Sequence, residues 1–269
     1  MSNGDASSSG ASIVITAVRT DEWLRQAVAS SLAQIAVAAQ VIVVLDGCSG
    51  MDASDFDAPS GLTFVRLAQR HGPARARNLG LEQADGEYVA ALDGDDLADA
   101  DRLARQTDLI RNLPGVALVG GAARTMNADG SSLGIRQVDR LNPMQARLRL
   151  TQRNPFVHSA TLARRSALEA VGGYDETLTR CIDYDLYLRL AIRGYSLATD
   201  PEIVGTHRVH GGQLSTHAIP GPVRRHLRSL RSELAAELDI STISQHLRNA
   251  AWSMGNTSIG REVRGLRRR

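Results

Sequence analysis

Glu87-Tyr88-Val89-Ala90-Ala91-Leu92-Asp93-Gly94-Asp95-Asp96 passes from a short apolar run directly into three aspartates around one glycine. The apolar part predicts a buried strand over Glu87–Leu92. The acidic part packs carboxylates so closely that they repel one another unless a cation sits among them. Hard cations such as Mg²⁺ and Mn²⁺ take oxygen ligands, commonly one or two carboxylates together with substrate phosphates. A D-x-D at a strand end can therefore hold a metal against a diphosphate. Taken alone, the run also reads as a solvated acidic turn that caps the helix after Asp101.

Outward from this run, strands and helices alternate. Ser12–Val18, Val41–Leu45, Leu62–Leu67 and Val116–Val119 are apolar runs of strand length. Thr20 can cap a helix in which Trp23, Leu24, Ala27, Val28, Ser31 and Leu32 recur at helical spacing. Pro73 opens a second helix to about Ala84, and Asp101–Leu113 is a third. This alternation predicts an α/β fold with a mainly parallel central sheet flanked by helices. Ligands of such sheets collect beyond the carboxyl ends of the strands. Here those ends are Thr16-Ala17-Val18, Asp46-Gly47 and Asp93–Asp96. Beyond Asn127-Ala128-Asp129-Gly130, which reads as a hairpin turn, the pattern is less regular. Helices are expected over Met144–Leu150, Arg165–Val171 and Asp183–Arg193, and strands over Ser196–Ala198 and Ile203–Val209. From Pro220 the chain reads as helical, with Arg224, Arg225, Arg228 and Arg231 in a basic stripe. That stripe is either a solvated face or a contact with an anionic membrane or a lipid-linked acceptor.

Composition narrows the chemistry. The 269 residues carry 43% hydrophobic and 22% charged residues and a net charge of +2, so bulk charge does not argue for nucleic acid. Every basic residue other than histidine is Arg. That excludes a Schiff-base lysine and a Walker A loop. Cys48 and Cys181 match no paired motif and read as free thiols of a reducing compartment. The polar start lacks signal-peptide character, and no apolar stretch is long enough to span a bilayer. The expected location is cytoplasmic, with contact to the inner face of the membrane left open.

Gly72-Pro73-Ala74-Arg75-Ala76-Arg77-Asn78-Leu79-Gly80, then Ala84-Asp85-Gly86-Glu87-Tyr88, then Leu92–Asp96, then Leu103-Ala104-Arg105-Gln106 follow one another in order. The series resembles glycosyltransferase family 2, which commonly reads G-x-A-x-A-R-N-x-G, A-x-G-E-Y, L-D-x-D-D and L-x-x-Q. Ile13–Thr16 and Val43–Ser49 resemble that family's first strand and its V-V-D-D-G-S turn. The resemblance covers roughly residues 12 to 215. It implies a GT-A fold with a nucleotide-diphosphate sugar, a UDP-sugar on family grounds, across the strand ends. It implies Thr16 and Val18 beside the base, Asp46 accepting from it, Arg77 near the diphosphate, Asp93 near ribose and metal, and Asp95 on Mn²⁺ or Mg²⁺. From the residues alone, Arg77 could instead pair with a nearby aspartate.

The second half carries Gly172-Gly173-Tyr174-Asp175-Glu176 and Ile182-Asp183-Tyr184-Asp185-Leu186, similar to the family's G-G-F-D-E and E-D-x-D-L. The resemblance implies Asp183 as the base that takes the acceptor proton; the alternative is a helix N-cap. Asp185 reads as structural. His207-Arg208-Val209-His210 with Ser215 resembles a Y-R-x-H … S segment, which implies His210 at the metal or diphosphate. Asn154–His158 resembles an acceptor-side segment, with His158 a further candidate. The chain departs from the family at Thr16-Ala17-Val18-Arg19, Leu45, Cys48, Ala100 and Ile182. None of these removes a metal ligand. The expected organisation is a disordered lead-in over 1–11, one domain over 12–219 with a donor half (12–125) and an acceptor half (126–219), and a helical extension with a basic tail over 220–269. The reaction implied is transfer of a sugar, with inversion, to a hydroxyl of a carbohydrate, lipid-linked or small-molecule acceptor, by a monomer or a homo-oligomer. A non-catalytic nucleotide-sugar-binding protein and a sugar-phosphate nucleotidyltransferase are the rivals. The second would need a Gly-rich basic loop after the first strand, which Thr16–Thr20 lacks.

Overall fold

The structure, a computed structural model, describes residues 10–37, 39–56, 61–213 and 217–255. The expectations for most of the lead-in, Ser215 and the basic tail lie outside these residues. The first half is a run of strands and helices: β1 (Ala11–Ala17), α1 (Glu22–Leu32), β2 (Ala39–Asp46), β3 (Leu62–Leu67), α2 (Pro73–Glu82), β4 (Tyr88–Asp93), short β5 (Leu97–Ala98) and α3 (Arg102–Arg111). The second half adds β6 (Val116–Asn127), β7 (Ser132–Arg136), α4 (Pro143–Leu150), β8 (Thr161–Arg164), α5 (Arg165–Ala170), α6 (Ile182–Ile192) and β9 (Ser196–Val209). Helices α7 (Gly221–Glu237) and α8 (Thr242–Gly255) follow.

One sheet runs β3-β2-β1-β4-β8-β6-β9-β5, with β7 paired to β6. Strands β3, β2, β1 and β4 form the parallel block that the alternation predicts. Strand β8 lies antiparallel to both β4 and β6, while β9 runs parallel to β6. The expected division at residue 125 falls inside β6, so both halves share this sheet. Strands β1, β2 and β4 are largely apolar on both faces, as strands covered by helices on both sides must be, whereas the edge strand β3 exposes Thr63 and Arg66. In β2, Ile42 and Val44 join the core under α2, α6 and α7, and Val41, Val43 and Leu45 join the core under α1 and α3. Leu45 therefore occupies a buried position and does not face the cleft. Among the described residues no helix is long and apolar enough to cross a membrane.

Several local expectations change. Strand β1 begins at Ala11, inside the expected lead-in. Asp21, not Thr20, caps α1 by accepting from Leu24 N at 3.2 Å, and the Thr20 hydroxyl donates to Ser49 O at 2.6 Å. The two expected strands near residue 200 are one, β9. The basic stripe of α7 loses a member, because Arg231 is fully buried. Its guanidinium donates to Thr151 O at 3.0 and 2.8 Å and to Gln152 O at 3.0 Å, satisfying carbonyls at the end of α4 where a cation is favoured.

Asp185 shows what fixes α7 to the domain. Its carboxylate is fully buried and accepts from Arg189 Nε and from His226 Nε2, each at 2.7 Å. Arg189 also donates to Val171 O and Gly173 O, tying in the Gly172-Gly173 turn. Removing one partner of a buried pair strands the other. Asp185→Ala should therefore lower the unfolding free energy in urea by ~3 kcal/mol.

Candidate active site

The strand ends β1, β2 and β4 open into a cavity of about 700 Å³ whose lining includes Thr16, Val18, Asp46, Arg77, Asp93, Asp95, His158, Asp183 and His210. All the residues singled out from the sequence for the donor, the metal and the base thus meet at one place. Gly94 explains how the acidic run fits there. A Cβ on Gly94 would come within 2.9 Å of Ala17 Cβ, and its N–H donates to Thr16 O at 3.0 Å. Only glycine lets the run press against the end of β1.

Each aspartate of the run has a different partner. Asp93 accepts from Arg77 of α2 at 2.5 Å. Burial alone would raise its pKa, but the charge of Arg77 and then of His158 holds it below the usual value. Asp95 meets His210 Nε2 at 2.7 Å. Burial, then the charges of Asp96 and Asp93, push its pKa up to about 6 against the pull of His210. Asp96 is fully buried, accepts from Arg208 N at 2.8 Å, and faces His207 Nδ1 at 3.1 Å. Burial opposes charge on His207, yet the hydrogen bond and charge of Asp96 outweigh it and raise its pKa. The run does not cap α3: the N-cap is Asp101, and the carboxylates of Asp93, Asp95 and Asp96 meet Arg77, His210 and Arg208 N instead.

Oxygen atoms of Asp93, Asp95 and Asp96 lie within 4.8 Å of one another. An all-oxygen set with surplus negative charge suits a hard divalent cation. His210 is a less direct candidate. Gly212 N–H donates to its Nδ1 at 3.1 Å, which assigns the ring proton to Nε2 and makes the ring a donor to Asp95. Its ring also packs 4.9 Å from Trp23. Asp46 is almost fully buried and already accepts from His71 N at 2.6 Å and Gly72 N at 2.9 Å, pinning the loop that leads into α2.

Across the cavity, Asp183 sits in the first turn of α6, where a carboxylate is electrostatically favoured. It does not cap the helix: the N-cap is Cys181, held left-handed at φ 56°. A non-glycine residue costs about 1 kcal/mol in that conformation. Instead, Asp183 accepts from Asn154 Nδ2 at 2.8 Å. Asn154 is itself oriented, because its Oδ1 accepts from Phe156 N at 3.0 Å. Sequence reasoning placed Asn154 in an acceptor-side segment but did not foresee its bond to Asp183. It also missed Trp252 of α8, which lines the cavity, and Arg102, fully buried behind the acidic run with a pKa lowered by burial to about 10.

The family model for glycosyl transferase family 2 matches residues 12–172. The chain belongs to glycosyl transferase family 2. An uncharacterized glycosyltransferase of Haemophilus influenzae is 28% identical over 200 residues, covering 72% of this chain and 73% of that one. The succinoglycan biosynthesis protein ExoU of Rhizobium meliloti is 27% identical, covering 85% of this chain and 78% of that one. Among solved structures, S. aureus TarS 1-349 in complex with UDP superposes with a TM-score of 0.68 at 15% identity, over 93% of this chain and 72% of that one. The same protein in complex with UDP-GlcNAc gives 0.66 over 92% and 72%. The fold of this family 2 member is therefore GT-A.

His158 offers a pH test of the site. Its Nδ1 lies 2.8 Å from the Tyr187 hydroxyl, and its Nε2 is buried without a partner among the described residues. Burial, then the charge of Arg77, lowers its pKa to about 4. An unfolded histidine titrates near ~6.5, so between these values the unfolded chain binds a proton that the folded chain refuses. The stability this confers is complete above pH ~6.5 and is lost as pH falls toward ~4. Asp95, with a raised pKa, works in the opposite direction but is present in both proteins compared. Urea unfolding at pH 7 and pH 5 should show wild type losing more stability than His158→Gln over that step.

Proposed function

We propose that this chain transfers a sugar, with inversion, from a nucleoside-diphosphate sugar to an acceptor hydroxyl. The observation that carries the reading is the placement of Asp183 in the same cavity as the acidic run, with Arg77 paired to Asp93 in its lining. TarS was solved with UDP and with UDP-GlcNAc, which favours a uridine nucleotide here.

On this reading Thr16 and Val18 border the base, and Asp46, with lone pairs to spare beyond His71 N and Gly72 N, accepts from it. Asp93 and Asp95 would hold Mg²⁺ or Mn²⁺, with Asp96 supporting the run from beneath and His210 acting through Asp95 or on the cation itself. A divalent cation there supplies positive charge to the departing diphosphate. Arg77 adds a permanent, fork-shaped donor set for the same oxygens. Asp183 takes the proton of the acceptor hydroxyl as its oxygen forms the new bond to the anomeric carbon, while the bond from that carbon to the diphosphate oxygen breaks. Asn154 holds the Asp183 carboxylate in place. The acceptor is a carbohydrate, a lipid-linked sugar or a small molecule, bound against the second half of the chain.

The donor assignment is checked by thermal shift with UDP-, dTDP- and GDP-sugars, with and without Mn²⁺, since a ligand that binds only the folded state raises the midpoint. A UDP-sugar should do so in a metal-dependent way, and Asp95→Ala should abolish that dependence. Asp183→Asn should keep the shift while lowering transfer by ~10²- to 10⁴-fold. Full transfer by Asp183→Asn would sink the base assignment, and donor binding with neither transfer nor donor hydrolysis in wild type would favour a binding protein.

A further inference from the structure

Helix α8 contributes one side chain to the cavity. Trp252, near its end, lines the same space as Asp183. The indole is held by its neighbours. The Arg231 guanidinium lies 4.8 Å from the ring centroid, and it is itself fixed by donating to Thr151 O and Gln152 O. The Tyr184 ring packs 6.2 Å away at 60°, and its hydroxyl donates to Leu150 O at 2.6 Å. Tyr184 directly follows Asp183 in α6, so one helix helps to place both the carboxylate and the indole. Helix α8 is docked through polar contacts: Gln245 Nε2 donates to Thr151 O at 3.1 Å and Asn249 Nδ2 to Ser232 Oγ at 3.0 Å. A side chain fixed in this way loses little freedom when a ligand packs on it.

Trp252 also differs from the other large apolar residues near Asp183. Phe156, Ile182, Tyr184 and Ile219 line the cavity too, but each is at most 6% exposed, whereas Trp252 is only half-buried. Thr179, Arg180 and His217 add polar groups to the same lining. The nucleobase does not account for the indole, because on the proposed reading it lies at the ends of β1 and β2, beside Thr16, Val18 and Asp46. An acyl or isoprenoid chain fits poorly as well. It needs a continuous apolar wall, and here it would take polar groups out of water without giving them partners. One flat apolar surface among polar groups matches a pyranose. Such a ring has a face of C–H bonds that packs on an aromatic plane and a rim of hydroxyls that needs hydrogen-bonding partners.

We infer that Trp252 forms the acceptor subsite, and that the acceptor is a sugar ring stacked on the indole with one hydroxyl turned to Asp183. The inference rests on the reading of this cavity as a glycosyltransferase site, and it narrows the acceptor to a saccharide.

The test uses methyl α- and β-pyranosides of glucose, galactose, mannose and N-acetylglucosamine. Each is titrated into the full chain in the presence of UDP and Mn²⁺, with binding followed by saturation-transfer NMR and by indole fluorescence. At least one glycoside should bind and change the indole emission. Trp252→Leu should weaken that binding ~10-fold or more, and Trp252→Phe, which keeps an aromatic face, should weaken it less. Both variants should keep the wild-type thermal shift with UDP, which shows that the fold and the donor site are intact. Unchanged glycoside binding by Trp252→Leu, no binding by any of these glycosides, or equal binding of glycerol would overturn the inference. A wild-type protein that shows no shift with UDP would count against the donor reading instead, and the glycoside titration repeated without nucleotide would still decide the role of Trp252.

Discussion

Three carboxylates crowded at the end of one strand set the terms for the rest of this fold. Asp93, Asp95 and Asp96 raise one another's energy, as the pKa of Asp95 records. Their partners come from elements far apart in the chain: Arg77 from α2, His207 and Arg208 from β9, and His210 just beyond it. The run also leaves β4 and enters β5, which pairs not with its neighbours in sequence but with β9. The acids are thus the seam along which the parallel block and the later strands are joined. Arg208 strengthens that seam by donating to Asp95 O at 3.0 Å and to Gln26 of α1 at 2.9 Å. A change in the run would disturb the sheet as well as the chemistry.

The opposite wall is built by different means. Helix α6 presents Asp183 from its first turn, after a left-handed Cys181, and is locked from behind by the pairs Asp185–Arg189 and Asp185–His226. Two aspartates two residues apart in sequence therefore have opposite duties. Asp185 is buried and fully engaged, whereas Asp183 is half-buried, lines the cavity, and has Asn154 as its donor. Burial and bonding separate the structural carboxylate from the one that the proposed reading makes the base.

This division also decides what could be read in the sequence. Strands β1, β2 and β4 are legible because both of their faces are largely apolar and a buried strand announces itself as an apolar run, whereas the edge strand β3 is legible only from Leu62, Phe64, Val65 and Leu67. The motif-bearing residues of the cleft were legible because they sit at the ends of those strands. Long-range polar contacts were not. Arg231 has the same spacing as its neighbours on α7, and only the position of Thr151 O reveals that it faces inward. Thr20 and Asp21 are both good caps, and the free side chain of Thr20 was claimed by Ser49 O, a contact no local pattern shows. Strand β9 runs unbroken through Pro201, and its pairing to β6 accommodates that segment with shifts in register that no local pattern shows.

The ion pairs that organise the cleft also bear on how it accepts a donor. Arg77 and Asp93 satisfy each other, as do His210 and Asp95. A diphosphate that drew Arg77 away would leave the half-buried Asp93 beside two other acids without its cation. Conversely, a cation seated on Asp93 would leave the largely buried Arg77 without its anion. Either half-step exposes an uncompensated charge, costing on the order of 3–5 kcal/mol when it is deeply buried. On the proposed reading the two steps would cancel when taken together: Arg77 would exchange a carboxylate for phosphate oxygens, and Asp93 a guanidinium for a divalent ion. On that reading the two ligands would be coupled thermodynamically, each raising the affinity of the other by the same factor. That coupling requires no moving lid, since it follows from one arginine and one aspartate that cannot be left unpaired in the same low-dielectric corner.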